Sequence, residues 1–146
     1  MPPVPRPLHC IDFAVIGPHI GPNPLVLPLD AHKIEFHVVG KPPAVPPPLQ
    51  TQITPHFGAM GLDCSFGLEV ILVHFSARQI AVKLIHTARP STVTALDSSG
   101  AVVATGKTDP TQKVPQLLVL AGAKPIVKVT IAPPSDETAL LEFCVL

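Results

Sequence analysis

The chain has 146 residues, of which 47% are hydrophobic and 14% are charged, and its ten basic residues balance its ten acidic ones. The charged share lies below the roughly 25% of a typical soluble domain, and no lysine and arginine cluster offers a surface for nucleic acid. The longest apolar runs, such as residues 117–122, are too short to cross a bilayer. We therefore expect neither nucleic-acid binding nor membrane insertion.

A surface with so few charged residues predicts burial against other subunits or a partner. A monomer with a surface rich in proline, threonine, serine and alanine is the alternative. Prolines interrupt any apolar segment near Arg6, so the sequence predicts no Sec signal peptide. We expect cytoplasmic synthesis or incorporation in a particle, with export by another route or a mature form as alternatives.

The chain opens with a proline-rich arm over residues 1–8, whose first seven residues read MPPVPRP. A polyproline-type segment loses little entropy on ordering and needs no sheet hydrogen bonds. We expect this arm to act as an assembly clasp, against a neighbouring subunit or across its own sandwich. The prolines that would form the clasp are Pro2, Pro3, Pro5 and Pro7.

Residues 9–146 are interpreted as one domain, which is long enough for a hydrophobic core. Prolines are concentrated before residue 60, where we expect loops and extended segments with strands at about 9–15 and 32–39. The proline-rich stretch 41–50 is interpreted as a stiff loop over one end of the fold. After residue 65 the pattern predicts strands within 66–76, 79–87, 116–122, 125–133 and 137–146, and a hairpin over 91–106 with Asp97 and Gly100 in its turn.

No constellation of catalytic residues is apparent in the sequence. In HKIEFH a strand places Glu35 and His37 on one face and His32 on the other, which leaves too few ligands for zinc. Cys64 follows Asp63, a carboxylate that raises the pKa of a neighbouring thiol and so disfavours a nucleophile. We expect no enzymatic activity, no cofactor and no metal site.

The order of motifs in the second half resembles the galactose-binding-domain-like family of β-sandwiches. The hairpin carries a V-x-A-x-D-x-x-G-x-x-V pattern over residues 93–103, and QLLVLAG, IVKVTI and a last strand ending in FC follow it. A C-x-D-F first strand at 10–13 adds to the likeness, which covers 62–146 well and 9–15 loosely. The resemblance implies an all-β fold, an antiparallel jelly-roll β-sandwich with a proline-rich N-terminal arm and loops.

The resemblance also implies that the first and last strands are neighbours. Cys10 and Cys144 would then come close enough for a disulfide, in an oxidising setting. Asp12 and Glu142 would approach each other as well, and hard carboxylates suit the Ca²⁺ that such folds often hold near their termini. Carboxylates that face solvent or pair with arginine are the preferred interpretation.

Two functions follow from these features. Composition and the arm favour a non-catalytic structural or assembly protein, a β-sandwich subunit of a homo-oligomer, fibre, shell or larger particle. Its partners would be other copies of itself or subunits of a larger assembly. The resemblance gives the alternative, a carbohydrate-binding, lectin-like module with a weak ligand site at His56, Phe57 and Asp63. The chain lacks tryptophan and tyrosine, which usually stack on sugar rings.

Overall fold

A computed structural model describes residues 9–40, 49–87, 89–132 and 137–146. The arm prolines and most of the proline-rich loop lie outside these residues. The described residues form thirteen strands and one helical turn: β1 (His9–Asp12), α1 (Phe13–Ile16), β2 (His19–Pro22), β3 (Leu25–Leu29), β4 (His32–Val38), β5 (Gln50–His56), β6 (Ala59–Asp63), β7 (Leu68–Val73), β8 (Ala77–His86), β9 (Thr92–Leu96), β10 (Val102–Lys107), β11 (Gln116–Ile126), β12 (Lys128–Ala132) and β13 (Thr138–Val145).

The strands make two antiparallel sheets, which confirms the expected all-β class. The first sheet has the order β11-β8-β13-β6-β5-β2, and β1 pairs with the part of β13 that β6 does not reach. The second sheet has the order β10-β9-β12-β7-β4-β3. Alternate side chains of both sheets point into one shared core, as in a β-sandwich.

Three buried phenylalanines connect the two sheets at the centre of this core. The Phe36 ring on β4 meets Phe13 edge-to-face at 5.3 Å between ring centroids and Phe143 on β13 at 5.9 Å. All three side chains are inaccessible to solvent. Edge-to-face pairs add about 0.5–1.5 kcal/mol each to the burial of the rings, so these contacts fix how the sheets face each other.

The expected first strand is shorter than the sequence indicates. β1 ends at Asp12, whose carboxylate accepts a hydrogen bond from the Ala14 backbone N–H at 2.9 Å and caps the helical turn α1. The turn ends at Gly17, which has a φ of 84°. The prediction of a strand over 9–15 is therefore wrong after Asp12, because a local cap competes with the extended chain.

Four strands in the proline-rich part, β2, β3, β5 and β6, are not predicted by the sequence pattern. Pro22 lies on β2 and Pro28 on β3, and each of these strands is the last of its sheet. Pro55 lies on β5 beyond residues 50–53, the part that pairs with β2. Pro125 lies in the irregular part of β11. A residue without an N–H is tolerated where one side of a strand has no backbone partner.

The remaining expectations for the second half agree with the structure in position. The hairpin β9–β10, the strand β8 and the last strand β13 lie where the sequence predicts them. β11 continues to Ile126 through a bulge, whereas the sequence predicts a break after 122. No helix in the described parts of the chain is long and apolar enough to cross a membrane.

Candidate functional site

The three residues of the expected sugar site do not converge. Phe57 and Gly58 form the two-residue turn between β5 and β6, with φ values of 52° and 84°. Asp63 is the last residue of β6, so a whole strand at about 3.3 Å per residue separates it from Phe57. Its carboxylate instead accepts hydrogen bonds from the Ser65 N–H at 3.0 Å and the Ser65 hydroxyl at 2.6 Å. The three residues therefore do not form one recognition loop.

The other two residues of that set are occupied by contacts within the chain. His56 is 6% exposed, and its ring nitrogens lie 3.2 Å from Glu137 Oε2 and 3.1 Å from Thr54 Oγ1. The Phe57 side chain packs against a small buried cluster, and Lys113 Nζ lies 5.5 Å from its ring centroid. Lysine over one ring face is a cation–π contact, so this aromatic ring serves local packing.

Cys10 and Cys144 form a disulfide with an S–S distance of 2.03 Å. They face each other in the antiparallel pair of β1 and β13, as do Asp12 and Glu142. Asp12 caps the helical turn, and Glu142 Oε2 lies 3.9 Å from Lys83 Nζ on β8. Within the described residues, no group of three or more histidine, cysteine, aspartate or glutamate side chains is arranged to hold a metal ion.

The candidate ligands of HKIEFH lie on two different faces of β4, as the alternation of side chains along a strand predicts. His37 Nε2 lies 2.9 Å from Glu35 Oε1, so these two side chains share a face of β4. His32 instead stacks on Phe75. Cys64 is a free, buried thiol, and its pKa is raised first by burial and then by the Asp63 charge. A thiol held in its protonated form is a poor nucleophile.

His86 is fully buried at the end of β8 and has a structural role that the sequence does not reveal. Its Nδ1 contacts the Thr87 carbonyl oxygen, so Nδ1 carries the proton and donates it. Its Nε2 lies 2.7 Å from Thr108 Oγ1, which also accepts a hydrogen bond from the Ser91 N–H. Both ring nitrogens of His86 therefore have hydrogen-bond partners within the chain. His86 joins two loops, β8–β9 through Thr87 and β10–β11 through Thr108.

A pocket of about 280 Å³ lies beside the first and last described strands, between the turns β3–β4 and β7–β8. We call it the terminal pocket; its lining includes His9, Asp30, His32, Phe75 and Ser76. His9 Nδ1 lies 2.7 Å from Asp30 Oδ2. The rings of His32 and Phe75 stack at 4.4 Å with an interplanar angle of 16°. The strand pairing of β4 with β7 creates this site, because it brings the start of one strand to the end of the other.

A second candidate surface is the β10–β11 edge, defined as strands β10 and β11 at one side of the sandwich. Leu118 and Leu120 on β11 pair with the core residues Val82 and Ile80, so their side chains point inward. The alternate residues point outward: Leu117 is 62% exposed and Val119 is 51% exposed. On β10, Val102 is 64% exposed. Residues 114–123 contain no charged side chain.

Close backbone contact holds these two strands together. A Cβ atom at Gly122 on β11 would lie 2.9 Å from the Val103 carbonyl oxygen on β10, and one at Gly106 would lie 3.1 Å from Leu120 Cδ2. Only glycine permits such an approach at Gly122 without displacement of the neighbouring strand. The two sheets therefore meet along this edge, and the outward apolar side chains remain at the surface.

Comparison with known proteins gives no family for this chain. No protein-family model matches it, and no curated protein matches it. Composition and the surfaces described above therefore carry the functional proposal.

Proposed function

We propose that the chain is a non-catalytic structural subunit that assembles with copies of itself into a homo-oligomer, fibre, shell or larger particle. The observation that carries this proposal is the β10–β11 edge. It exposes three large apolar side chains, Val102, Leu117 and Val119, and the last two lie within a ten-residue stretch without charge. Apolar surface of this kind is typical of interfaces between protein chains.

Edge strands of soluble proteins normally carry features that prevent association, such as lysine, proline or a bulge. The segment of β11 that pairs with β8, residues 116–121, contains none of the three. Burial of apolar surface contributes about 25 cal/mol per Å², so covering these side chains with a second copy is favourable. The sequence QLLVLA carries no charge, so a symmetric contact between two copies of this strand brings no like charges together.

The sheet topology supports a jelly roll of the kind implied by the resemblance. The chain passes from one sheet to the other after β2, β4, β6, β7, β8, β10, β11 and β12. Such repeated crossing between two antiparallel sheets is typical of jelly-roll sandwiches, which serve as capsid and lectin domains. The fold alone does not decide between these uses, and the separation of Asp63 from Phe57 gives the carbohydrate alternative no support.

Light scattering on a sizing column tests the proposal with the full chain. We expect a mass well above the 15.4 kDa of one chain, and a lower mass for the double variant Leu117→Lys/Val119→Lys. Both side chains are exposed, so the variant is expected to fold. The matched control is Ile20→Lys, an equally exposed residue on β2 at the opposite edge, which is expected to keep the wild-type mass.

Two results would contradict this proposal. A wild-type chain that is monomeric at all concentrations would remove self-assembly altogether. An assembly that Ile20→Lys dissociates, and that the double variant leaves intact, would assign the contact to the other edge.

A further inference from the structure

We propose that the terminal pocket binds the proline-rich arm, residues 1–7, of a second copy of the chain. This inference rests on the proposed self-assembly and names a second contact within it. Three features of the pocket support it: the aromatic pair, the charge of the lining and the position of His9.

The aromatic pair contributes two ring side chains to the lining of the pocket. His32 is exposed and Phe75 is half-buried, and their stacked rings lie 4.4 Å apart. Grooves that recognise polyproline segments present aromatic side chains to the rings and donors to the free backbone carbonyls. The Ser76 hydroxyl and the His32 ring N–H of the lining are such donors. The lining thus offers both kinds of contact that a polyproline segment needs.

The charge of the pocket complements that of the arm. Asp30 is the only carboxylate side chain among the described lining residues, which include no lysine or arginine. Its side chain is 63% exposed, and its Oδ2 lies 2.7 Å from His9 Nδ1, which leaves Oδ1 for an arginine. Arg6 is the only charged side chain of the arm. An arginine brought to an exposed carboxylate gains a modest charge-assisted hydrogen bond, and its main effect is to fix the register of the arm.

The position of His9 favours a second copy over the same chain. His9 lines the pocket and pairs with Val145 at the end of β13, so the preceding residues leave from the pocket rim. Proline restricts its own φ and disfavours a helical conformation in the residue before it. Seven residues of polyproline-type chain span about 20 Å, and a return into the pocket beside His9 requires a reversal within one or two residues. Two copies around a two-fold axis at this end exchange arms without any reversal.

A mixing experiment with full-length chains tests the exchange. The arm variant is Pro5→Gly/Arg6→Glu, and the pocket variant is Phe75→Ala. Both are made on the Leu117→Lys/Val119→Lys chain, so that contacts through the β10–β11 edge do not contribute. On that parent chain we expect a dimer, and each variant alone should raise its dissociation constant about tenfold or more. A one-to-one mixture restores one intact arm and one intact pocket, so it should associate more tightly than either variant alone.

Because Phe75 is half-buried, the exposed substitution His32→Ala serves as a second pocket variant that is expected to fold. Thermal melts of each variant confirm the fold before the masses are compared. Dissociation constants that neither pocket variant nor the arm variant changes would overturn the inference, and so would a mixture no tighter than its components. A sugar that binds the wild-type pocket, with loss of binding in Phe75→Ala and no effect of the arm variant, would also overturn it.

The same measurements separate the two proposals. If Leu117→Lys/Val119→Lys lowers the wild-type mass but the arm and pocket variants change nothing, self-assembly stands and the arm exchange fails. If the wild-type chain is monomeric, both fail. If only the arm and pocket variants lower the mass, the exchange stands and the β10–β11 edge is not the interface.

Discussion

The two edges of the sandwich differ in how their strands are protected. The β2–β3 edge has four prolines between residues 18 and 28, whereas β10 and residues 116–124 of β11 have none. Proline removes the N–H that a second strand would need, so the first edge is a poor template for another chain. The second edge has a proline only near the end of β11, at Pro125, and it exposes apolar side chains before that point.

The Asn23 side chain pairs with the end of β4, at a position that the backbone ladder between β3 and β4 does not reach. The Asn23 amide donates from Nδ2 to the Val38 carbonyl at 2.9 Å and accepts at Oδ1 from the Val38 N–H at 2.8 Å. This pair of bonds reproduces what a neighbouring strand would supply. Asn23 thus pairs the end of β4 within the chain, while the β10–β11 edge keeps exposed apolar side chains.

The largest expected effect comes from the disulfide, which is part of neither edge. It concerns the stability of the fold and not the association of chains. The disulfide joins residues 134 positions apart, between β1 and the interior strand β13. We expect Cys10→Ala/Cys144→Ala to lower the free energy of unfolding by about 4 kcal/mol, because a cross-link over so long a loop restricts the unfolded chain. Urea unfolding with and without a reductant measures this effect.

The same experiment supplies its own control. The wild-type midpoint should fall on reduction, and the variant midpoint should not respond to the reductant. Equal midpoints for the two proteins would contradict the stabilising role of the bond. Assembly through the β10–β11 edge should persist in the variant while it remains folded.

The next effect breaks the close contact within the β10–β11 edge. In Gly122→Ala the new Cβ must displace the Val103 backbone, and we expect a loss of about 2 kcal/mol in unfolding free energy. Gly106→Ala is the matched control, since its Cβ meets the side-chain ends of Leu120 and Leu118 and no backbone atom among its three nearest contacts. Similar losses from both substitutions, measured by chemical denaturation, would show that the backbone approach at Gly122 is not the constraint.

The sequence predicts the second half of the fold better than the first for a physical reason. Strands β8, β9, β10 and β13 alternate apolar and polar residues or end in turn signals, which are local features. The proline-rich strands β2 and β3 are tolerated only because each lies at the edge of a sheet. Edge position is a tertiary property, and the sequence pattern does not contain it.

The candidate surfaces also differ in how far the sequence predicts them. The outward alternation of Leu117 and Val119 can be read from the strand pattern, but their exposure depends on which strand ends the sheet. The terminal pocket requires the register of β4 with β7, which places His32 near Phe75 across a gap of more than forty residues. Phe57 and Asp63 are close in sequence, yet they lie at opposite ends of β6, because a strand carries its two ends apart.

A smaller effect tests the pairing of Asn23 with Val38. Asn23→Ala removes both hydrogen bonds to Val38 and leaves two partly buried backbone groups without that partner. We expect a loss of about 1–2 kcal/mol in unfolding free energy, with the melting temperature as the measurement. If loss of these two hydrogen bonds also lets another chain pair with Val38, light scattering will show a higher mass for the variant than for wild type. An unchanged melting temperature would mean that solvent replaces the amide without cost.

The smallest effect concerns the turn that holds β10, and it depends on pH. The Asp97 carboxylate accepts hydrogen bonds from the Ser99 hydroxyl at 2.6 Å, the Ser99 N–H at 2.9 Å and the Ala101 N–H at 3.0 Å. The Ser99 hydroxyl bond, followed by the Ala101 backbone bond, lowers the pKa of Asp97 below its usual value, and Lys124 on β11 adds to this at 3.8 Å. A carboxylate with a lowered pKa stabilises the fold above its unfolded pKa of about 3.9.

That contribution to stability is lost as the pH falls through the lowered pKa of Asp97 in the folded protein. Asp97→Ala should melt below wild type at neutral pH, and the gap should narrow below about pH 4, as the wild-type protein loses its ionised carboxylate. Lys124→Ala is the control for the ion pair alone, and its effect should be smaller because the Lys124 side chain is 70% exposed and its charge is screened by solvent. A gap that stays constant from neutral to acidic pH would show that Asp97 acts on the β10–β11 edge through its shape and not through its charge.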